Sequence, residues 1–276
     1  MRVGLVQLTS SDDPQANLPV VQDFVAQAAQ QGAQFVLTPE VTNCVSNSRS
    51  RQEEVLSSEA DDPTLAALRA QAKELRIWLL IGSLGLKSDG ADPRFFNRSF
   101  LISPDGDIVA RYNKIHMFDV TLTEDETYRE SDGYQPGDRA VLTEVAGIPL
   151  GMTVCYDLRF PYLFRGLAKS GARIMTVPAA FSPETGPAHW EVLLRARAIE
   201  TGSFVLAPAQ CGSHAVSKGR PRNTYGHSMA IDPWGRVLAD GGVAPGVTMV
   251  DLRLEDVDDI RRRLPSLANE RDYQKA

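Results

Sequence analysis

Long apolar runs are missing from this chain: no segment approaches the ~20 consecutive apolar residues that a membrane-spanning helix needs. Cysteine is scarce. Cys44, Cys155 and Cys211 are odd in number and lack CxxC spacing, so neither a disulfide framework nor a structural zinc site is supported. The four histidines, His116, His189, His214 and His227, show no metal-ligand spacing. Positive charge is in deficit, with 29 Lys and Arg against 35 Asp and Glu and a net charge of -6, which argues against nucleic acid as a partner. The one tight basic run, Arg261–Arg263, has acids beside it and reads as a solvated helix face. The N-terminus lacks the charged leader and apolar core of a signal peptide, since Met1–Leu8 reads as a strand. The cytoplasm is therefore the expected location.

What is present is an ordinary globular mix, 43% hydrophobic and 23% charged. Val3–Leu8 is an apolar strand. Leu18, Val21, Val25 and Ala28 then recur at three- and four-residue spacing, which predicts a helix, and Phe35–Leu37 predicts a second strand. A further helix opens at Asp62-Pro63, a cap followed by proline in the first turn. Ile77–Gly82 is a third strand, and a hairpin follows about Pro104-Asp105-Gly106. The second half repeats this outline: strand Ile148–Val154, helix Pro161–Lys169, strand Ile174–Val177, helix Ala188–Glu200, strand Phe204–Ala209, and a hairpin about Asp232–Gly235. Two such halves predict an α/β fold, a four-layer α-β-β-α sandwich of two mixed sheets, with residues 1–276 as a single domain. Gly212–Arg222 is polar and basic and reads as a surface loop. Val247–Asp251 is a last strand, and the tail after it is expected to pack on a neighbouring element or a partner subunit.

Ligands in open α/β sheets sit beyond the carboxyl ends of strands. Three reactive side chains fall at such ends: Glu40, Lys114 and Cys155. Singly, each has an ordinary reading as an exposed acid, a solvated lysine or a packed thiol. Together they have a chemistry. A carboxylate accepts the thiol proton during attack and later protonates the departing amine. An ammonium, with a backbone N–H beside the nucleophile, stabilises the tetrahedral oxyanion. Amide hydrolysis then needs no metal.

Three segments carry a resemblance. Gln34–Glu40 (QFVLTPE), Arg111–Asp119 (RYNKIHMFD) and Gly151–Pro161 (GMTVCYDLRFP) resemble, in order, the carboxylate, lysine and cysteine motifs of the nitrilase (carbon–nitrogen hydrolase) superfamily, over nearly the whole chain. The resemblance implies an α-β-β-α fold, a Glu-Lys-Cys triad, no metal or cofactor, and a homodimer or larger homo-oligomer. Residue by residue it makes Glu40 the base, Lys114 the oxyanion stabiliser, Cys155 the nucleophile and the Tyr156 N–H a second oxyanion donor. Glu130, in Tyr128-Arg129-Glu130-Ser131, matches a further glutamate that positions substrate or water; its ordinary reading is an exposed loop acid. Pro178–Ser182, Thr185–Glu200 and Tyr225–Ser228 with Asp232–Gly235 are similar to the Nit branch.

For that branch the implied substrate is a small anionic carboxamide. Deaminated glutathione, cleaved to 2-oxoglutarate and cysteinylglycine through a thioester, leads. The alternatives are 2-oxoglutaramate, an N-carbamoyl amino acid, or an inactive interaction protein of the same fold. A metal-dependent phosphoesterase, which shares the layering, would need acids and histidines where this chain has a cysteine and a lysine. Arg159, just past the nucleophile, is the expected anchor for the 2-oxo acid end, with Arg129 second. Phe181, Thr185 and His189 are expected on the leaving-group side.

Overall fold

The computed structural model describes residues 1–123 and 126–274. In chain order the first half runs β1 (Arg2–Gln7), α1 (Pro14–Gln30), β2 (Phe35–Leu37), α2 (Arg49–Val55), α3 (Pro63–Leu75), β3 (Trp78–Leu86), β4 (Phe96–Ile102), β5 (Ile108–Asn113), β6 (Asp119–Thr121) and β7 (Thr127–Arg129). The second half runs β8 (Val141–Val145), β9 (Ile148–Met152), α4 (Pro161–Lys169), β10 (Ile174–Thr176), α5 (Gly186–Thr201), β11 (Phe204–Ala207), β12 (Cys211–His214), β13 (Arg222–Tyr225), β14 (Met229–Ile231), β15 (Val237–Asp240), β16 (Gly246–Asp251) and α6 (Glu255–Arg263).

Two six-stranded sheets have the orders β16-β1-β2-β3-β4-β5 and β15-β14-β11-β10-β9-β8. In each, three parallel strands (β1, β2, β3; β9, β10, β11) are flanked by antiparallel ones. The four-layer sandwich expected from the repeated half is thus the observed architecture. Strand alternation decides which layer each side chain enters. Val3, Leu5, Phe35, Leu37 and Leu80 point into the cluster shared with the second sheet, whereas Val6, Val36, Leu79 and Ile81 meet Val21, Val25, Leu68 and Ala72 of α1 and α3. Gly4 allows the close approach of α1: a Cβ there would lie 2.8 Å from that of Ala28. Asp62 caps α3 by accepting the Leu65 N–H at 2.7 Å, with Pro63 in the first turn, as its sequence predicts.

The last strand does not extend the second half. β16 pairs antiparallel with β1, from Arg2↔Asp251 to Gln7↔Gly246, and so closes the edge of the first sheet. The tail packs on its own chain, burying Val257 and Ile260 of α6. Two sequence expectations are corrected. Gly212–Arg222 is not simply a loop: its ends belong to the β12–β13 hairpin, paired from Cys211↔Tyr225 to His214↔Arg222. Cys211 and His214 turn inward there, while Gly212 and Ser213 give the segment its polar look. In the basic run, Arg262 and Arg263 are exposed, but Arg261 donates to the Ala172 carbonyl at 2.6 Å and the Thr201 carbonyl at 3.2 Å, filling four-residue helix spacing from Val257.

Candidate active site

The loops beyond β2, β5, β9 and β10 meet at one end of the two sheets, over a cavity of about 440 Å³. Glu40, from β2, is 3% exposed; Lys114, from β5, is 2%; Cys155, from β9, is 7%. Lys114 Nζ donates to Glu40 Oε1 at 2.9 Å and to Glu130 Oε1 and Oε2 at 2.9 and 2.7 Å. Glu40 Oε2 accepts the Ala180 N–H at 2.8 Å. The Cys155 thiol lines the same cavity, near enough to Glu40 and Lys114 for each to bear on the others' ionisation. The structure therefore gathers Glu40, Lys114, Cys155 and Glu130, drawn from positions far apart in sequence. Glu130 is not an exposed loop acid; its Oε2 also accepts the Phe118 N–H at 2.6 Å.

Cys155 has φ +50°, the left-handed region that a non-glycine residue rarely occupies. This sharp strand-to-helix turn lifts the thiol out of β9 into the cavity. Its own N–H donates to the Pro178 carbonyl at 2.9 Å. The next N–H, of Tyr156, has no acceptor among the described residues. Asp157, fully buried, holds the turn: its carboxylate accepts the Val154 N–H at 2.8 Å, the Tyr112 hydroxyl at 2.6 Å and the His116 N–H at 3.1 Å. Leaving such donors unmade in the interior is costly, so the carboxylate fixes the backbone about Cys155.

Electrostatics set the resting protonation. Burial pushes the Glu40 carboxyl up, but the charges of Lys114 and Arg222 and the hydrogen bond from Lys114 outweigh it, and its pKa falls below the ordinary value. Burial and the Glu40 charge both push the Cys155 thiol up. Burial alone would lower Lys114, yet Glu130 and Glu40 hold it firmly charged. The resting group is a neutral thiol beside a carboxylate and an ammonium.

Around this group, Arg129, Phe181 and Thr185 line the cavity as expected. Arg159 and His189 do not line it. Arg159 sits at the rim, its guanidinium over the rings of Tyr156 and Phe181, which do line the cavity, and it contacts His189, Nη2 to Nδ1 at 3.2 Å. Sequence reasoning missed Arg222, on β13. It lines the cavity, donates to the Ala180 carbonyl at 2.8 Å, and has no carboxylate partner among the described residues. It also missed Asn97, on β4, whose amide reaches Glu40 and Glu130. Neither carried a motif; Arg222 lies inside the segment read as loop. Cys44 borders the cavity too, but burial pushes its thiol up to about 12. Among the described residues no three His, Cys, Asp or Glu side chains gather as metal ligands.

This fold with this site is that of an enzyme class that cleaves carbon–nitrogen bonds with a cysteine. The chain belongs to the carbon-nitrogen hydrolase family, whose sequence profile matches residues 2–262. The Yersinia enterocolitica protein named deaminated glutathione amidase is 39% identical over 270 residues, covering 98% of this chain and 92% of that one. Its human namesake is 38% identical over 275 residues, 98% of this chain and 82% of that one. Among solved structures, the Caenorhabditis elegans NitFhit protein superposes with a TM-score of 0.90 at 32% identity, over 98% of this chain and 65% of that longer chain. Saccharomyces cerevisiae Nit3, of branch 10 of the nitrilase superfamily, superposes with a TM-score of 0.84 at 26% identity, over 96% and 94% of the two chains.

Proposed function

We propose that the chain is a cysteine-dependent amidase of metabolite repair, cleaving deaminated glutathione to 2-oxoglutarate and cysteinylglycine. Cys155 Sγ attacks the γ-amide carbon as Glu40 takes the thiol proton. Lys114 and the Tyr156 N–H receive the oxyanion, and Glu130 holds Lys114 in place. Glu40 returns the proton to the leaving amine, the C–N bond breaks, and a thioester remains. Water, deprotonated by Glu40, then attacks the thioester, and Sγ departs with the proton. The observation that carries this reading is the buried carboxylate–ammonium pair of Glu40 and Lys114 with the buried Cys155 thiol at the same cavity. The names of the relatives support the substrate. So does Arg222, a cavity cation without a carboxylate partner among the described residues, suited to an anionic end of the substrate. It replaces Arg159 in that role.

Both halves of the chain furnish the one site, which supports reading residues 1–276 as one domain. Three free thiols suit a reducing compartment, the cytoplasm. Val192 and Ile199, exposed on α5, suit burial against a second copy.

The test is hydrolysis of deaminated glutathione and 2-oxoglutaramate side by side, with Cys155→Ala as control. Preference for deaminated glutathione, lost in the variant, is the expected result. Preference for 2-oxoglutaramate would make the enzyme an ω-amidase with the same chemistry. Turnover surviving in Cys155→Ala would remove the nucleophile.

A further inference from the structure

The buried cluster contains one more side chain that the reaction above leaves idle. Asn97 is 2% exposed, and its Nδ2 donates to Glu40 Oε1 at 2.9 Å and to Glu130 Oε1 at 3.2 Å. Lys114 Nζ reaches the same two oxygens, each at 2.9 Å. Two donors and two acceptors thus close a ring, with an amide on one side and an ammonium on the other. The amide's orientation follows from its partners: turned over, Oδ1 would face two carboxylate oxygens. Among the described residues Oδ1 accepts no hydrogen bond, so the side chain is engaged by its donor end alone.

A lysine ammonium has three N–H groups. Here they serve two carboxylates, Glu40 through Oε1 and Glu130 through both oxygens. The oxygens of one carboxylate lie too close together to draw two tetrahedral N–H groups, so Glu130 shares one, and a third N–H is left for an oxyanion on the substrate carbon. Where that N–H points is set by where the two carboxylates stand, and Asn97 ties their shared oxygens together. We propose that Asn97 is a positioning residue that holds Glu40 and Glu130 in place, so that Lys114 keeps its third N–H on the oxyanion. This rests on the roles given above to Glu40, Lys114 and Cys155. Because that N–H is used only as the oxyanion forms, its loss falls on kcat and spares KM. Glu40 is faced by Lys114, Arg222, Cys155 and Tyr134, and through the shared donors by Glu130. Removing the Asn97 donor therefore also makes its carboxylate easier to protonate.

The experiment measures kcat, KM and the pH dependence of kcat on deaminated glutathione for the full chain, Asn97→Leu, Asn97→Gln and Cys155→Ala. Leucine keeps the branched shape of asparagine without a donor, while glutamine keeps the two N–H groups. Asn97→Leu is expected to lower kcat about 10- to 100-fold, with KM within about threefold, and to move the acid limb to higher pH. Asn97→Gln recovers part of both. Should Asn97→Leu fail to melt cooperatively, Asn97→Ala takes its place. An unchanged kcat and acid limb in the donor-free variant would overturn the proposal, as would equal losses in leucine and glutamine variants with the acid limb unmoved. Wild-type turnover in Cys155→Ala is a different failure, that of the nucleophile itself, and takes the proposal with it.

Discussion

Glu40 Oε2 accepts the main-chain N–H of Ala180 at 2.8 Å, so the carboxylate that ends β2 in one sheet is clamped by the backbone beyond β10 in the other. Glu40 is thus held by the half of the chain that supplies Cys155.

Glu40→Gln separates charge from shape. The amide oxygen can still accept from Ala180, but its NH2 would then face the donors Lys114 and Asn97, and no base remains. Turnover is expected to fall on the order of 10²–10⁴-fold. Single-turnover assays check it, with mass spectrometry for any thioester that accumulates; undiminished turnover would exclude Glu40 as the base.

Lys114→Met removes an oxyanion donor, a loss worth roughly 10²–10³ in kcat. It also reverses the balance at Glu40. The Glu40 pKa lies below its ordinary value with the lysine present, so the active carboxylate is lost only as pH falls through that depressed value. With Lys114 gone, burial dominates and the acid limb of the rate profile moves to higher pH. The same variant leaves two buried carboxylates short of their cation, costing about 3–5 kcal/mol in urea unfolding.

Arg222→Gln and Arg159→Gln form a pair. The first is expected to lower kcat/KM for the anionic amide about 10- to 100-fold, the loss of a charge-assisted hydrogen bond, and to spare a neutral amide such as propionamide. The second, at the rim over Tyr156 and Phe181, should lower kcat/KM for the anionic amide by less than the first. Steady-state kinetics on the two substrates decide, and equal effects on charged and neutral amides would remove Arg222 as an anchor.

His214 gives stability a pH dependence. Burial lowers its pKa to about 4, and the neutral ring bridges the Ser10 carbonyl at 2.7 Å and the Thr224 hydroxyl at 2.8 Å. Above the unfolded pKa near 6.5 both states are neutral and the ring imposes no penalty. As pH falls from there toward 4 the unfolded chain binds the proton first, and stability drops by about 1.4 kcal/mol per unit. Urea titrations of wild type and His214→Gln across that window should differ in slope; parallel curves would count against a neutral buried ring.

The strands and helices of the two halves were legible because their apolar residues keep a strict period, as in Val3, Leu5, Phe35 and Leu37 on one face and Val36 on the other. The segments α2, β6, β7 and β8 are short or half-exposed and offer no such period. In the site, Glu40, Lys114 and Cys155 were readable because each follows an apolar strand within a recognisable motif. Arg159 was legible only as a neighbour of Cys155: past a left-handed residue and a 3-10 turn it comes to rest over Tyr156 and Phe181 at the cavity rim. Arg222 and Asn97 were invisible because an arginine in a polar hairpin and an asparagine on a strand look ordinary until the fold sets them against Glu40.

The pairing of β1 with β16 has a bearing on how the chain is made. β1 leaves the ribosome before β2, which soon covers one of its edges. Its other edge stays open until residues 246–251 have been translated. At ~5–20 residues per second that wait lasts roughly 12–50 s. Through that interval an apolar, unpaired strand is available to neighbouring nascent chains. Yield from rapid synthesis should consequently depend on holdase chaperones far more than the finished enzyme's resistance to heat would indicate.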